Sequence, residues 1–266
     1  MRRAILTLTI TALAFTMIPA GIFANNNAET ISAISDFYDQ APEIANCDHG
    51  VLKQSEKQKI IEEINFIRSL HHLDSVTYNP AGDEKAAMAA LGCVANKALS
   101  HQPPSSWKCY NNDMKEGCQG SNLFLGATFN QSNLPGSEAS LVSWMTDSGS
   151  VWVGHRRAII NPFVSQYSFG RVDGKPEGTD FYYYGMTLLY QDYVKNSITT
   201  DIEYIAFPYE KYPPKYFNND WYLSFSVVSD KTNLWANANV DFSQASVVMK
   251  DPDQTEVNIT EIIHDN

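Results

Sequence analysis

The most constraining pattern in this chain is an apolar stripe at helical spacing between Glu56 and Leu70. The stripe consists of Ile60, Ile61, Ile64, Ile67 and Leu70, with charged residues on the opposite side. One apolar face at a period of 3.6 residues predicts an amphipathic helix that must pack against other elements. Because 44% of the residues are hydrophobic, the chain has ample material for such a core.

Helical patterns continue along the chain and then give way to strand patterns. We predict helices from Asp83 to about Ser100, Glu138 to Met145 and Gly154 to Ile160, followed by strands over Gln166–Val172 and Phe181–Tyr190. Residues 102–137 are rich in Pro, Ser, Asn and Gly and predict an irregular loop. A run of helices followed by a β-meander predicts an α+β fold.

The C-terminal part, residues 207–266, differs in composition, with prolines, aromatic residues and short strand-like runs. The predicted strands are Trp221–Val228, Ala236–Phe242, Ala245–Met249 and Glu256–Ile263. They form either an independent small all-β module or edge strands that pack on the first domain. The sequence leaves both arrangements open, because so few strands supply only a weak core of their own.

The N-terminus has the pattern of a secretory signal peptide over residues 1–24. Arg2 and Arg3 precede an apolar run that extends to Met17, and small residues lead to Ala24. The run is short for a membrane span, so we predict a cleaved leader and a secreted or periplasmic protein. An uncleaved N-terminal anchor is the alternative.

The chain is acidic, which excludes some classes of partner. Its formal net charge is −11, and removal of the two leader arginines makes it −13. Repulsion from phosphates argues against nucleic acid and against electrostatic docking on anionic lipid. A sterol or an acyl chain, which binds through apolar contacts, stays compatible with this charge.

Four cysteines, Cys47, Cys93, Cys109 and Cys118, all lie after the leader, where an oxidising compartment lets them pair. Three pairings are possible. We favour Cys109 with Cys118, because the short polar loop between them can bend back, and this leaves Cys47 to join Cys93. A four-thiol metal site is the rival, although it lacks paired C-x-x-C spacing.

Several segments together resemble the CAP superfamily of cysteine-rich secretory, antigen 5 and pathogenesis-related proteins. They are Asn65-Phe66-Ile67-Arg68, Leu99-Ser100-His101, Gly120-Ser121-Asn122-Leu123, Trp144, Gly154-His155-Arg156-Arg157 and Asn161-Pro162. The Gly-His-Arg-Arg segment is similar to bacterial members. The resemblance implies a CAP-like α-β-α sandwich over residues 55–200, preceded by an N-terminal arm (25–54) and followed by the small all-β region.

The resemblance also implies a cavity centred on two histidines, His101 and His155, usually with two acidic side chains. Ser121 stands where the family typically has a glutamate, and Asp147 stands in the place of the second acid. Two imidazoles and a carboxylate are a sufficient ligand set for zinc or another divalent metal, with His101 and His155 as the metal ligands. With Ser121 in place of the family's glutamate, the site lacks one carboxylate, which weakens metal binding and removes the obvious general base.

Each of these residues also has a purely structural interpretation. His155 can bond a loop carbonyl, His101 can cap an alanine-rich helix, and Asp147 suits the turn that it begins. Without a nucleophile-elbow motif around it, Ser121 is expected to fill space or donate a hydrogen bond. Arg156 and Arg157 are interpreted as surface ion pairs.

Two further features have structural interpretations. His71 and His72 look like exposed residues at the end of the first helix, and the aromatic stretch from Phe181 to Tyr184 is typical of a strand buried on both faces.

The sequence therefore predicts a secreted CAP-domain protein that acts as a binding or interaction module for a small-molecule, lipid or protein ligand. The alternative is a metal-dependent extracellular hydrolase, a peptidase or cell-wall enzyme, with Asp147 as its base. The missing acid at Ser121 counts against that alternative.

Overall fold

The structure is a computed structural model that describes residues 34–218, 220–243, 245–251 and 253–264. The predicted signal peptide and the first part of the N-terminal arm lie outside the described residues. No helix in these ranges has the length and apolarity needed to cross a membrane.

The helices confirm most of the predicted helical segments. They are α1 (Ile34–Phe37), α2 (Gln54–Ser69), α3 (Asp83–Asn96), α4 (Asn112–Gly120), α5 (Glu138–Thr146), α6 (Gly154–Ile159) and α7 (Leu234–Asn237). The prediction for α3 was too long, because Lys97 adopts a left-handed conformation (φ 54°) and its N–H bonds the carbonyls of Cys93 and Val94. This left-handed cap ends the helix four residues before His101.

The strands are short except in the central sheet. They are β1 (Tyr38–Gln40), β2 (Val51–Leu52), β3 (Thr77–Tyr78), β4 (Ser121–Thr128), β5 (Gln166–Gly174), β6 (Tyr182–Leu189), β7 (Tyr204–Phe207), β8 (Ser224–Val227), β9 (Met249–Lys250) and β10 (Glu256–Val257). The central sheet has the order β3-β5-β6-β4, in which β3 runs parallel to β5 and the other neighbours are antiparallel.

Both faces of this sheet are covered, as the period-2 alternation of β5 shows. Tyr167 and Phe169 point into a large core with α2, α5 and α6, whereas Val172 points into a second core with α3 and α4. A Cβ on Gly170 would lie 2.3 Å from the backbone of Ala86 in α3, so a glycine is required where this helix meets the sheet. The three layers confirm the predicted α+β fold.

The predicted disulfide pairing was wrong. Cys47 is bonded to Cys109, and Cys93 and Cys118 are buried thiols. The error arose because residues 102–137 are not one irregular loop. Asn111 accepts a hydrogen bond from the Met114 N–H at 2.8 Å and caps α4, which holds Cys118 against α3 and away from Cys109.

The first part of the C-terminal region packs on the sandwich. Strands β7 and β8 form an antiparallel pair, and Ile205, Phe207 and Tyr216 belong to the same buried core as α2 and α5. The strand predicted over Ala236–Phe242 was wrong, because the Asn233 side chain accepts from the Ala236 N–H and caps the short helix α7. The β9–β10 hairpin is the last described pairing.

Candidate functional site

A carboxylate at the end of α5 holds the histidine at the start of α6. Asp147 adopts a left-handed conformation (φ 47°), and its Oδ1 accepts a hydrogen bond from Nδ1 of His155 at 2.7 Å. Its Oδ2 accepts from the backbone N–H groups of His155 and Arg156 at 3.0 and 3.3 Å. Because Nδ1 donates to a carboxylate, the neutral ring presents Nε2 as a hydrogen-bond acceptor.

The two members of this pair differ in exposure. The Asp147 side chain is only 3% exposed, whereas that of His155 is 34% exposed. Asp147 therefore orients the imidazole with Oδ1 and caps the start of α6 with Oδ2, and the polar atom that can meet a ligand is Nε2 of His155. Within the described part of the chain, no hydrogen bond reaches this nitrogen.

Ser121 and Asn122 begin β4 beside this pair. Asn122 Nδ2 donates to the backbone carbonyl of His155 at 2.9 Å. Ser121 is buried, and among the described residues its hydroxyl has no hydrogen-bond partner. The Ser121 hydroxyl is thus bonded to neither histidine, which agrees with a space-filling serine and not with an activated nucleophile.

His101 lies on the exposed chain after α3, and its Nδ1 donates to the backbone carbonyl of Cys118 at 2.8 Å. His155 contacts Asn122. The two histidines thus meet the same short segment, residues 118–122, at its opposite ends. Both rings have Nδ1 engaged by an acceptor, which leaves one nitrogen each for another partner.

A zinc site with three protein ligands does not fit these residues. His101 and His155 supply one nitrogen each, and both oxygens of Asp147 already accept hydrogen bonds. Among the described residues, no group of three or more His, Cys, Asp or Glu side chains is arranged to hold a metal ion. Catalytic zinc sites use three such ligands, so the described geometry falls short by at least one.

Comparisons with known proteins agree with the motif order. The profile of the cysteine-rich secretory protein family, CAP, matches residues 61–193, which is half of the chain. The chain belongs to the CAP family. Comparison with curated protein sequences finds no match.

Two solved structures are similar to this CAP protein at low identity. An extracellular SCP-domain protein from Bacillus anthracis is 20% identical over 50% of this chain and 40% of its own, with a TM-score of 0.33. The CAP domain of enterococcal PrgA is 12% identical over 63% of this chain and 73% of its own, with a TM-score of 0.34. The chain thus spans well under two thirds of the Bacillus protein.

Two exposed apolar side chains lie in the loop before His155 in this CAP domain. Val151 is 38% exposed and Trp152 is 54% exposed, in the loop that joins α5 to α6. The C-terminal region holds the loop, because Asn218 Nδ2 donates to Ser148 Oγ at 3.0 Å and Trp221 Nε1 donates to the Ser150 carbonyl at 3.4 Å. The exposed Trp152 indole therefore lies on a braced loop, two residues before α6 begins and three residues before His155.

The interpretation of Arg156 as a surface ion pair was wrong, since the residue is 1% exposed. Its guanidinium donates to the carbonyls of Met145, Thr146 and Tyr222, and it lies 3.7 Å from the ring centroid of Phe207. Burial lowers the pKa of Arg156 to about 10, so the group stays charged at neutral pH. It joins α5 and α6 of the CAP domain to the C-terminal region.

His71 was also misassigned, because it is 5% exposed and not an exposed residue. Its Nε2 lies 3.0 Å from the Tyr212 hydroxyl, and its ring stacks with Phe207. His71 lines a cavity of about 180 Å³ with His72 and residues 201–206 and 209. A second hollow lies at the β9–β10 hairpin, and the four predicted cavity residues line neither of the two.

Proposed function

We propose that this CAP protein is exported and acts outside the cytoplasm as a binding or interaction module, with His155 and Trp152 at its contact surface. The observation that carries the proposal is an oriented, partly exposed imidazole that follows an exposed indole by three residues in the chain. Export is supported by the predicted signal peptide and by the Cys47–Cys109 disulfide, since disulfides persist mainly in oxidising compartments.

The chemistry of this surface favours a ligand with an apolar body and one hydrogen-bond donor. The Trp152 indole supplies a large rigid apolar area, and Nε2 of His155 supplies an acceptor whose direction is set by Asp147. A sterol hydroxyl or a donor on a protein surface has this combination. The acidic net charge disfavours anionic lipid headgroups.

Saturable binding from a panel of sterols and fatty acids to the mature protein tests the proposal, and the sterols, which carry a donor hydroxyl, should bind more tightly than ionised fatty acids, which carry none. We expect Trp152→Ala and His155→Gln each to weaken binding about tenfold, which is the loss of roughly 1.4 kcal/mol typical of an important contact. Trp235, which is 66% exposed in the C-terminal region, provides the matched control, and Trp235→Ala should bind as the wild type does.

The proposed contact surface is refuted if Trp152→Ala binds with wild-type affinity. If no member of the panel binds saturably, the apolar small-molecule ligand falls. A pull-down with a defined protein candidate then uses the same three variants.

An extracellular hydrolase is the second candidate, and the His155–Asp147 hydrogen bond favours it. With Asp147 buried, the proton acceptor in such an enzyme is His155 and not the carboxylate. Peptide and peptidoglycan turnover should be measured in the wild type and in Asp147→Asn. Absent or equal turnover in the two proteins would remove this candidate.

Zinc at His101 and His155 stays a prediction that the described geometry does not favour. Metal analysis of the purified mature protein, together with added-metal stabilisation of His101→Ala and His155→Ala, tests it. A bound equivalent of zinc that either substitution removes would restore the metal site. Equal stabilisation of all three proteins would dismiss it.

A further inference from the structure

Two buried cysteines face each other between the helices α3 and α4. Cys93 and Cys118 are both fully buried, and a hydrogen bond with the side chain of Cys118 raises the pKa of the Cys93 thiol. Cys47 and Cys109 are already joined to each other. Of the three pairings that four cysteines allow, only one is compatible with both observations.

The helices come unusually close at these two positions, because a glycine precedes each cysteine. A Cβ on Gly117 would lie 2.0 Å from the carbonyl oxygen of Lys85 in α3, and one on Gly92 would lie 2.7 Å from Sδ of Met114 in α4. Any other residue at either position would push the helices apart. The backbones of α3 and α4 thus approach closely in the turns that carry the two cysteines.

We propose that Cys93 and Cys118 form a second disulfide, which joins α3 to α4 in the exported protein. This assignment is independent of the proposed binding function. Cys118 also carries the carbonyl that accepts from His101, so the cross-link ties α3 to the segment that both histidines contact.

The reaction is a thiol–disulfide exchange with an external disulfide, such as oxidised glutathione. One of the two cysteine thiolates attacks one sulfur of the donor and releases one donor thiolate, and the other cysteine thiolate then attacks the protein sulfur of this mixed disulfide and releases the second. The two cysteines lose two electrons, which the donor gains, and the two thiol protons pass to the released thiolates or to solvent. Both sulfurs are enclosed in the final fold, so the exchange precedes full closure of the helices.

Intact-mass analysis of the mature protein tests the assignment. The protein is recovered from an oxidising compartment without reductant, unfolded in guanidinium chloride and treated with N-ethylmaleimide. We expect no adduct before reduction and four adducts after it, since the chain has four cysteines. Peptide mapping should recover the Cys93 peptide linked to the Cys118 peptide. Two adducts before reduction, or Cys93 linked to any other cysteine, would overturn the proposal.

Two variants make the test independent of the first disulfide. In Cys47→Ser with Cys109→Ser, only the α3–α4 pair remains, and we again expect no adduct before reduction. Cys93→Ser should yield one adduct, mapped to Cys118. If the double variant takes up two adducts while keeping its wild-type circular dichroism spectrum, the two thiols do not pair.

Discussion

Replacement of Arg156 by methionine should destabilise the protein more than any change at an exposed cation. Methionine keeps most of the side-chain volume but removes hydrogen bonds to three carbonyls at 2.7–3.0 Å and one to Ser224 Oγ at 3.2 Å. It also removes the contact with the Phe207 ring at 3.7 Å. The carbonyls that lose this donor belong to the end of α5 and to the start of the β8 segment.

The magnitude follows from these contacts. A buried acceptor left without a partner costs about 1–3 kcal/mol, and a desolvated cation–π contact contributes about 2 kcal/mol. Relaxation and water entry make such losses less than additive, so we expect a total of about 4 kcal/mol. In a protein of this size each kcal/mol lowers Tm by roughly 2–4 °C, which predicts a decrease of roughly 10 °C.

Thermal unfolding followed by circular dichroism measures this effect, with Lys108→Met as the matched control. Lys108 is exposed and pairs with Glu177 at 3.1 Å, so its loss should cost under about 1 kcal/mol. Arg156→Lys keeps the charge but not the planar fork, and it should recover only a minor part of the stability. If Tm falls by less than about 3 °C in Arg156→Met, or equally in Lys108→Met, the reasoning is refuted.

Two other predictions concern the core. Burial lowers the pKa of His71 to about 4, whereas an unfolded histidine has a pKa of roughly 6.5. The contribution of the neutral His71 ring to stability is therefore complete above pH 6.5. It is lost as the pH falls from 6.5 towards 4. Urea unfolding at pH 7 and pH 4 measures this loss of stability. We expect the loss to be smaller by about 3 kcal/mol in His71→Gln and unchanged in the exposed His72→Gln. Equal losses in the two variants would contradict the prediction. Gly117→Ala places a methyl 2.0 Å from the Lys85 carbonyl oxygen and should lower the free energy of unfolding by roughly 3 kcal/mol, measured by thermal unfolding. Gly154→Ala, whose methyl meets no atom within 4 Å, should be nearly neutral. Similar effects at the two glycines would show that the α3–α4 contact yields easily.

The longer helices and the central strands were predictable because their signals are local. The apolar stripe of α2 and the alanine run of α3 each specify one buried face, and the alternation in β5 specifies two. The helix α4 was missed because it is short and contains Gly117 and Gly120, which weaken helical propensity. Its stability comes from the Asn111 cap and from packing on α3, and a loop-like composition conceals both.

The cavity expected from His101, Ser121, Asp147 and His155 stays a prediction, and the sequence did not reveal the separate roles of Asp147 and His155. The order of motifs placed Asp147 and His155 together, and the structure joins them at 2.7 Å. In the structure the Asp147 carboxylate is buried and orients the ring, while the His155 imidazole is partly exposed. This arrangement depends on how the α5–α6 loop folds back. Residue types alone do not distinguish an orienting acid from a ligand or a base.

The sequence by itself determined the family and the α+β class, because periodicity and motif order are properties of consecutive residues. Only the tertiary structure decided the burial of His71 and Arg156 and the pairing of Cys47 with Cys109. Their partners lie dozens of positions away along the chain. The physical reason is that burial, hydrogen bonding and disulfide geometry depend on distances in space, which local patterns do not encode.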